Sequence, residues 1–372
     1  MKIGVNLLNF TQDRFGGVEQ YLKNLMLNLI LIDPQLQLFL FTPTSFSDIF
    51  PNHRKIKRVF IRDSSNHSQV IEAIRRYNLD IWFCPVHRSY LPNISIPTVV
   101  TIHDVLHAFY PDFVPGGKEE NNRYYQQFAP SFEAVLTVSK FSKKSITEQL
   151  LIPREKVHAI YSDASPEFSS PPDRRQMAII KEKYQLPQSF ALYPASYNPH
   201  KNHQNLLKAL VFLRENYNLT VPLVLTGYTY QSNMIYQSIL KFLEDYSLRN
   251  QVKIVGYVPS EEMPYLYHLA RLLIFPSLFE GFGIPLVEAM KTQTPIVCSN
   301  QASIPEVVGE AALQFNPHSP QEIASAILQI AHPQVRFKLI QKGKERAKLF
   351  SWKRCAMETL QVFYGICHKR HN

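Results

Sequence analysis

Two stretches of this sequence repeat one pattern, in which short apolar segments alternate with segments of helical periodicity. In the first stretch the apolar segments are KIGVNLLN, QLQLFLFT, RVFIRD, DIWFCPV, TVVTIHD and AVLTVS. They are rich in Val, Ile and Phe and predict strands, while segments such as GVEQYLKNLMLNLILID and HSQVIEAIRRYN predict helices between them. Near-continuous apolar strands with helical crossovers indicate a mostly parallel sheet covered by helices on both faces.

The pattern breaks once, at DASPEFSSPPDRRQ (residues 163–176), whose Ser, Pro and Asp content indicates a loop or linker. It then restarts with SFALYPAS, PLVLTG, VKIVGYV, LLIFPS, TPIVCSN and ALQF. A length of 372 residues also suits two domains of roughly 150–200 residues each. We therefore predict two doubly wound α/β domains, 1–175 and 176–350, and a helix over 351–372. Because ligands of such sheets bind beyond the carboxyl ends of the strands, two domains that face each other make a cleft for substrate.

Composition narrows the class of protein. The net charge of +10 favours an anionic partner, which is nucleic acid, an acidic lipid surface or a phosphorylated ligand. The four cysteines lack zinc-site spacing, and Cys84 and Cys298 lie in strand-like segments, so we expect buried free thiols in a reducing compartment. The N-terminus lacks the apolar core of a signal peptide, and no stretch of about 18 apolar residues predicts a spanning helix. We expect a cytosolic protein.

One segment, LFEGFGIPLVEAM (residues 278–290), gives the clearest indication of a binding site. It follows the apolar strand segment LLIFPS, and its glycines permit a tight turn with close backbone approach. Pro285 suits the first turn of a helix, where its missing N–H costs nothing. Phe282, Gly283 and Ile284 would then present their amides at a helix N-terminus, which is an anion site suited to a diphosphate.

Two glutamates flank this turn, and each has two interpretations. Glu280 precedes the turn and is placed to accept hydrogen bonds from sugar hydroxyls. Glu288 lies about one turn into the helix and is placed to accept hydrogen bonds from ribose hydroxyls. The alternative is that Glu288 only complements the helix dipole and that Glu280 is a solvated loop residue. Either glutamate alone favours the alternative, but the whole segment favours the binding roles.

The segment FPSLFEGFGIPLVEAM resembles the paired-glutamate signature of retaining GT-B glycosyltransferases, specifically glycosyltransferase family 4. Further segments resemble that family in the same order: FGGVEQYLKNL, TIHDVLHAFYP, LTVSKFSKKSI, NPHKNHQNLLKAL and SIPEVVGEAALQFNP. The resemblance covers nearly the whole chain. It implies a GT-B fold of two Rossmann-like domains facing across a cleft, an N-terminal acceptor domain, a C-terminal nucleotide-sugar domain, and a final helix that crosses back to the N-terminal domain.

By this resemblance the C-terminal domain binds the donor. Lys201 would bind its phosphates, since a compact cation suits a diphosphate leaving group, although a solvated lysine at a helix start is the alternative. The backbone from Phe282 to Ile284 would share that work, Glu280 would bind the hexose and Glu288 the ribose. Gly256 and Tyr257, after VKIV, would pack on the base.

From the N-terminal domain, the resemblance implies that Gly16 and Gly17 allow the backbone to approach the phosphates or the transferred sugar. His103 would lie against the donor hexose, where a histidine hydrogen-bonds without full charge. A core or capping histidine is the alternative, and Asp104 is explained as a turn cap. The resemblance implies no metal and no cofactor besides the donor substrate.

Three positions depart from the family pattern. Ala195 and Ser196 stand where a glycine, often with an arginine nearby, is usual, so one phosphate cation is absent unless His200 replaces it. Gln293 stands where a glycine usually ends a helix. The segment YSDASPEF lacks the usual interdomain glycine. These departures bear on the donor pocket and leave the glutamate pair intact.

The resemblance therefore implies a retaining hexosyltransferase that extends a cell-surface glycan or a lipid-linked oligosaccharide. PEVVGEAALQF most resembles the mannosyltransferase-like branch, which favours GDP-mannose as donor. Two alternatives stay open: a GT-B epimerase that splits a nucleotide sugar, and a binding protein of GT-B shape without turnover. Glu280, Lys201 and His103 are all present in this sequence, which argues against the binding protein without turnover.

The basic residues cluster in HRKIKR (53–58), in KFSKK (140–144) and between Arg336 and Arg354. They are either solvated faces or a docking surface for anionic lipid at the inner face of the cytoplasmic membrane. KFSKKSITEQLLI mixes basic residues with Phe141, Ile146, Leu150 and Leu151, which suits an interfacial helix. No recognisable module supports nucleic-acid binding.

Overall fold

The computed structural model describes residues 1–10, 16–46, 49–63, 67–91, 94–230 and 232–371. The chain divides into two compact units. Unit 1 is Met1–Asp163 together with the segment from Ser351 onward, and unit 2 is Ala164–Phe350.

Unit 1 is built on a seven-stranded parallel sheet. Its strands are β1 (Lys2–Asn6), β2 (Gln37–Pro43), β3 (Ile56–Ile61), β4 (Ile81–Cys84), β5 (Thr98–Thr101), β6 (Phe132–Thr137) and β7 (Val157–Ala159), in the spatial order β3-β2-β1-β4-β5-β6-β7. Its first helices are α1 (Gly17–Ile32), α2 (His67–Tyr77), α3 (Leu106–Phe109), α4 (Gly117–Phe128) and α5 (Lys140–Leu150). Strands β4 and β5 are buried at every residue, as expected for a sheet covered on both faces.

Unit 2 repeats the architecture with a six-stranded parallel sheet. Its strands are β8 (Ala191–Pro194), β9 (Leu223–Thr226), β10 (Val252–Gly256), β11 (Leu272–Phe275), β12 (Ile296–Ser299) and β13 (Ala312–Phe315), in the order β10-β9-β8-β11-β12-β13. Its helices are α6 (Arg174–Lys183), α7 (His203–Tyr217), α8 (Met234–Asp245), α9 (Met263–Leu269), α10 (Ile284–Lys291), α11 (Ile304–Val308), α12 (Pro320–Ile330) and α13 (Pro333–Ala347). The prediction of two doubly wound α/β units is confirmed.

Every strand predicted from the sequence contains an observed strand, and β7 is the one described strand that was missed. β7 spans only three residues, Val157–Ala159, which is too short for a periodic signal. It is recognised only by its pairing with β6, in which Val157 lies opposite Val135.

The final helix, α14 (Trp352–His371), belongs to unit 1 and packs on α1. Trp352 and Phe363 are buried and contact Tyr21 and Phe83, with ring centroids 6.2 and 5.2 Å apart. Met357, on the same helix, is 45% exposed and lies outside this packed face.

The division between the units falls between Asp163 and Ala164, whereas the sequence suggested residues 175 and 176. The reason is local packing. Phe168 is buried, and its ring meets that of Tyr267 edge-on at 5.4 Å, so much of the Pro-rich segment is part of unit 2.

Cys84 and Cys298 are buried free thiols in β4 and β12, as predicted. Burial raises the pKa of the Cys84 thiol to about 11, which keeps it protonated and unreactive at neutral pH. Among the described helices, none combines the length and the apolar character that crossing a membrane requires.

Candidate functional site

In unit 2 the strand order reverses between β8 and β11, which are neighbours in the sheet but far apart in the chain. In doubly wound sheets this reversal opens a crevice at the carboxyl ends of the two strands. Lys201 follows β8 and Glu280 follows β11, and the Lys201 Nζ atom lies 2.7 Å from Glu280 Oε1. The fold therefore brings together two predicted site residues that are 79 positions apart in sequence.

Polar contacts fix the loop that carries Lys201. The Tyr193 hydroxyl, on β8, donates to the Lys201 carbonyl at 2.6 Å. The next residue, Asn202, has a left-handed backbone with φ of 58°, and its Nδ2 donates to the carbonyls of Pro276 and Pro317 at 3.0 and 2.8 Å. Neither Tyr193 nor Asn202 was a predicted site residue. The asparagine in the segment PHKN was the available signal, since Asn tolerates this backbone conformation.

The Lys201–Glu280 pair is mostly withdrawn from water, with side-chain exposures of 17% and 12%. Burial alone raises the pKa of Glu280, but the charges of Lys201 and His200 and a hydrogen bond from Ser277 outweigh it, so the pKa lies below its usual value. Glu280 is therefore an ionised, paired carboxylate, and the alternative of a solvated loop residue is wrong. His200, the residue proposed to replace the missing cation, is thus close enough to Glu280 to help lower its pKa.

The turn after Glu280 leads into α10 as predicted. Gly283 is its N-cap with φ of +95°, a conformation that favours glycine, and Pro285 lies in the first turn. Within the described chain, the amides of Gly283 and Ile284 have no hydrogen-bond acceptor, so they are available to an anion. Ser303, which the sequence analysis missed, donates to the carbonyls of Glu280 and Phe282 at 2.9 and 3.2 Å and holds the turn in place.

Glu288 is 4% exposed, and its Oε2 accepts a hydrogen bond of 2.6 Å from the Tyr267 hydroxyl on α9. Burial and the Glu288 charge raise the pKa of Tyr267 well above its usual value, so the phenol stays a donor. Tyr267 thus anchors the second glutamate of the signature. Ribose binding by Glu288 stays a prediction.

At the ends of β9 and β10 lies a stack of tyrosines. Tyr257 is 43% exposed and stacks on Tyr228 with ring centroids 4.5 Å apart, and Tyr228 stacks on Tyr230 at 5.8 Å. Gly256, just before Tyr257, has φ of +82°. Gly256 and Tyr257 were predicted site residues, whereas the other two rings were missed, although YTY directly follows the predicted strand segment PLVLTG.

In unit 1 the strand order reverses between β1 and β4. Gly16 and Gly17 are exposed at the start of α1, the helix that follows β1. Gly16 has φ of 173°, which any residue adopts, and a Cβ atom there would meet nothing within 4 Å among its described neighbours. The open space at Gly16 is consistent with close approach of a ligand, but its backbone conformation does not require glycine.

His103 follows β5 and is 8% exposed. Its Nε2 lies 3.0 Å from the Pro85 carbonyl, so Nε2 carries the proton and Nδ1 is left as an acceptor. Burial, and then the neighbouring His87, lower the pKa of His103 to about 3, so the ring is neutral at pH 7. Asp104 accepts the Leu106 amide at 2.9 Å and caps a turn, as the sequence suggested.

A cluster beside His103 was missed. The His87 ring lies 5.2 Å from that of His103, and burial lowers the pKa of His87 to about 4. His107 lies 3.1 Å from Asn122 Oδ1 through its Nε2, and burial lowers its pKa too. The histidine in CPVHRSY, directly after a strand segment, was the signal for His87.

The structure describes two of the departures from the family pattern. Gln293 itself adopts the left-handed conformation usual for glycine, with φ of 60°, so the end of α10 is kept at some cost in strain. Gly227, after β9, has φ of +135°, and a Cβ atom there would come within 2.5 Å of the Ala195 carbonyl. Ala195 is thus packed closely against a neighbouring loop.

The chain matches two families described as "Glycosyl transferases group 1", over residues 176–348, and "Glycosyltransferase Family 4", over residues 15–162. It is 30% identical to the O-antigen chain mannosyltransferase B of Escherichia coli over 93% of this chain and 95% of that protein. The chain belongs to glycosyltransferase family 4. It is also 30% identical to the O-antigen chain mannosyltransferase RfbU of Salmonella typhimurium over 66% of this chain and 64% of the relative.

Solved structures show the same fold. A glycosyltransferase from Rickettsia africae aligns over 98% of both chains with a TM-score of 0.77 and 17% identity. HepE from Anabaena, solved in complex with UDP and glucose, aligns over 98% of this chain and 100% of its own with a TM-score of 0.78 and 17% identity. Among the described residues of the family 4 enzyme, no group of three or more His, Cys, Asp or Glu side chains is placed to hold a metal ion.

Proposed function

We propose that this glycosyltransferase is a retaining mannosyltransferase that moves mannose from GDP-mannose to a glycan or lipid-linked saccharide in cell-surface polysaccharide synthesis. The relatives support the sugar and the pathway class, since two of them are named as O-antigen mannosyltransferases. The observation that carries the catalytic part is the paired Lys201 and Glu280 beside the N-terminus of α10.

The main catalytic contribution is stabilisation of the leaving diphosphate. Lys201 supplies a fixed cation, and the Gly283 and Ile284 amides supply donors at the positive end of a helix. Both are in place before reaction, held by Asn202 and Ser303, so they need little reorganisation as negative charge develops on the leaving group. These groups do the work that a divalent cation does in other enzymes, and we propose that the reaction needs no metal.

The remaining site residues would position the donor. Glu280 orients the Lys201 ammonium and has carboxylate capacity left to accept a hexose hydroxyl. His103 accepts a sugar hydroxyl at Nδ1, and its neutral ring avoids placing a positive charge beside a developing oxocarbenium-like centre. Glu288 would accept hydrogen bonds from the ribose hydroxyls of the donor, and Tyr257 would pack on its base. We assign no covalent nucleophile, and the acceptor would attack from the face that the diphosphate leaves.

The first experiment measures which donor binds. The purified protein is melted with GDP-mannose, UDP-glucose, UDP-galactose or no ligand, each with and without EDTA. A ligand at a hundred times its dissociation constant stabilises the folded state by about 2.7 kcal/mol. We expect GDP-mannose to raise the melting temperature despite EDTA, and Glu280→Ala and Lys201→Ala to abolish the rise. Lys208→Ala, an exposed lysine on α7, is the matched control and should keep it.

The second experiment tests transfer. GDP-mannose is incubated with a mannose-terminated oligosaccharide, and the new glycosidic bond is examined by its one-bond C1–H1 coupling. Retention predicts an α-linked product. A β-linked product would refute the stereochemistry, and consumption of donor at the same rate without acceptor would favour a reaction that splits the nucleotide sugar. Stabilisation by another nucleotide sugar alone would correct the donor.

A further inference from the structure

A groove of about 1290 Å³ lies in unit 1, between α5, β7 and α14. The three elements come from separate parts of the chain, so sequence alone does not predict the groove. The floor includes small and apolar residues such as Ala159, Val362 and Ile366. Gly365 also lines it, and a Cβ atom at that position would meet nothing within 4 Å, so the groove is open on the α14 side.

The rim of the groove is cationic. Its basic side chains are Lys140, Lys143, Lys144, Arg154, Lys156 and Lys369, against the carboxylates of Glu133, Glu148, Glu155 and Glu358. The Lys156 Nζ donates a hydrogen bond of 2.8 Å to the Phe132 carbonyl, and the Lys144 Nζ lies 3.8 Å from Glu148 Oε1. Within the described chain, the side-chain ammonium groups of Lys143 and Lys369 make no ion pair or hydrogen bond.

The same two lysines and His158 line the groove together, and both lysines are close enough to affect the histidine electrostatically. Burial lowers the pKa of His158, and the nearby charges of Lys143 and Lys369 lower it further. His158 is therefore a neutral imidazole near two ammonium groups. Together the three side chains give this part of the groove a positive potential and an N–H donor. An anion bound there would be held by groups from α5, β7 and α14 at once.

We propose that this groove binds the phosphate headgroup of an anionic phospholipid through Lys143, His158 and Lys369. An apolar floor beneath a cationic rim matches an amphiphile better than a small inorganic ion, which would fill little of the volume. Leu151, at the end of α5, is 78% exposed and offers an apolar side chain to the lipid boundary. No Phe, Tyr or Trp is among the residues that line the groove, so it lacks the stacking surface that single-stranded nucleic acid requires.

This site replaces the interfacial helix expected from KFSKKSITEQLLI. Ile146 and Leu150 are buried in the core of unit 1, and Phe141 is half-buried with its ring 6.0 Å from that of Phe109. Leu151 is exposed by itself at the end of the helix, so these four residues do not form a continuous apolar face. The lysines of α5 act instead as one wall of a groove. The inference is independent of the mannosyl-transfer proposal, since none of its residues lies among the proposed donor contacts.

The test uses vesicle flotation with the full chain. Vesicles contain phosphatidylcholine alone or phosphatidylcholine with phosphatidylglycerol. The groove variant is Lys143→Glu with Lys369→Glu, and the control is Lys208→Glu with Lys241→Glu, two exposed lysines of unit 2 that change the net charge equally. We expect the wild type and the control to float with phosphatidylglycerol vesicles only. The groove variant should bind about thirtyfold more weakly or worse, because two lysines at a membrane surface contribute roughly that factor.

A second readout follows His158 by NMR, with His158→Gln to assign its signal. Burial, Lys143 and Lys369 lower its starting pKa, and the carboxylates of Glu133 and Glu358 also line the groove around it. Dihexanoyl phosphatidylglycerol should raise the pKa of His158, because the bound phosphate favours imidazolium, whereas dihexanoyl phosphatidylcholine should leave it little changed.

Three outcomes overturn the proposal: equal loss of flotation in both double variants, equal binding to zwitterionic vesicles, or a His158 response to inorganic pyrophosphate but not to the anionic lipid. The last outcome would assign the groove to a soluble diphosphate. Transfer to a soluble acceptor should be unchanged in the groove variant, so failure of this proposal and failure of the proposed activity give different results.

Discussion

Replacing Lys201 by alanine leaves the Glu280 carboxylate buried without its ion-pair partner. The pair is 2.7 Å apart, and the two side chains are 17% and 12% exposed. Removing one member of a buried pair typically costs about 3–5 kcal/mol, because the remaining charge stays desolvated. His200 and Ser277 still interact with Glu280, so we expect a loss near the lower end, about 3 kcal/mol in the free energy of unfolding of unit 2.

The loss should depend on pH in a stated direction. In the wild type the pKa of Glu280 lies below 4.5, so its stabilising contribution is present above pH 4.5 and disappears as the pH falls through the folded value. In the variant, burial without Lys201 raises the pKa of Glu280, so the folded state takes up a proton before the unfolded state does. The stability gap between wild type and variant should therefore be widest near pH 7 and narrow towards pH 5.

The assay must report on unit 2. The chain has two tryptophans, Trp82 and Trp352, and both lie in unit 1, so tryptophan fluorescence follows the wrong unit. Hydrogen exchange of the β8 and β11 amides, measured in urea at pH 7 and pH 5, follows the affected sheet. Lys208→Ala is the control for loss of an exposed lysine on α7.

A double variant separates the charge argument from simple packing. Lys201→Met with Glu280→Gln removes both charges and should recover most of the lost stability while transferase activity stays absent. A loss below about 0.5 kcal/mol for Lys201→Ala, a loss independent of pH, or a double variant as unstable as Lys201→Ala would refute the reasoning.

Three other substitutions test the fold around the site. Gly283→Ala should destabilise unit 2 by about 1–3 kcal/mol in urea denaturation, because φ of +95° strains a residue with a Cβ atom while the Leu286 side chain, 2.9 Å away, can move aside. Tyr267→Phe should cost about 2 kcal/mol by removing the donor to buried Glu288, and a change below about 0.5 kcal/mol would show that water replaces the phenol. The pKa of His103 is lowered to about 3, so the unfolded chain binds a proton there below pH 6.5 that the folded chain does not. His103→Asn should therefore lose less stability than the wild type between pH 7 and pH 5, and equal losses would contradict the neutral, buried ring.

Much of the fold was readable from the sequence because its signals are local. The apolar segments of buried parallel strands are continuous, so strands such as β4 and β11 were placed correctly. The turn at Gly283 and the first-turn proline of α10 were also predicted, since each depends on the conformational range of one residue. Gln293 was noted as a departure, but its left-handed conformation was not predicted, because only the surrounding helix and strand impose it.

The residues that hold the site residues in place could not be predicted from the sequence. Tyr267 contacts Glu288, Ser303 contacts the Glu280 carbonyl, and Asn202, next to Lys201, contacts the Pro276 carbonyl. In each case the two partners are more than twenty residues apart in the chain, so no local pattern predicts the contact. Ile146 and Leu150 show the same limit, because the sequence predicts an interfacial helix there and the structure buries both side chains in the core of unit 1. Helical periodicity shows that a face is apolar and leaves open whether that face meets the core or a bilayer.

The sequence by itself determined which residues follow the strands, and hence that Lys201, Glu280 and His103 lie at the carboxyl edges of two parallel sheets. Only the tertiary structure decided that Lys201 pairs with Glu280, because that contact depends on β8 and β11 being neighbours although the two residues are 79 positions apart. Burial also belongs to the tertiary structure. It is burial that keeps His103 neutral, and burial together with the surrounding charges that sets the state of Glu280, since each pKa depends on what the rest of the chain places around the group.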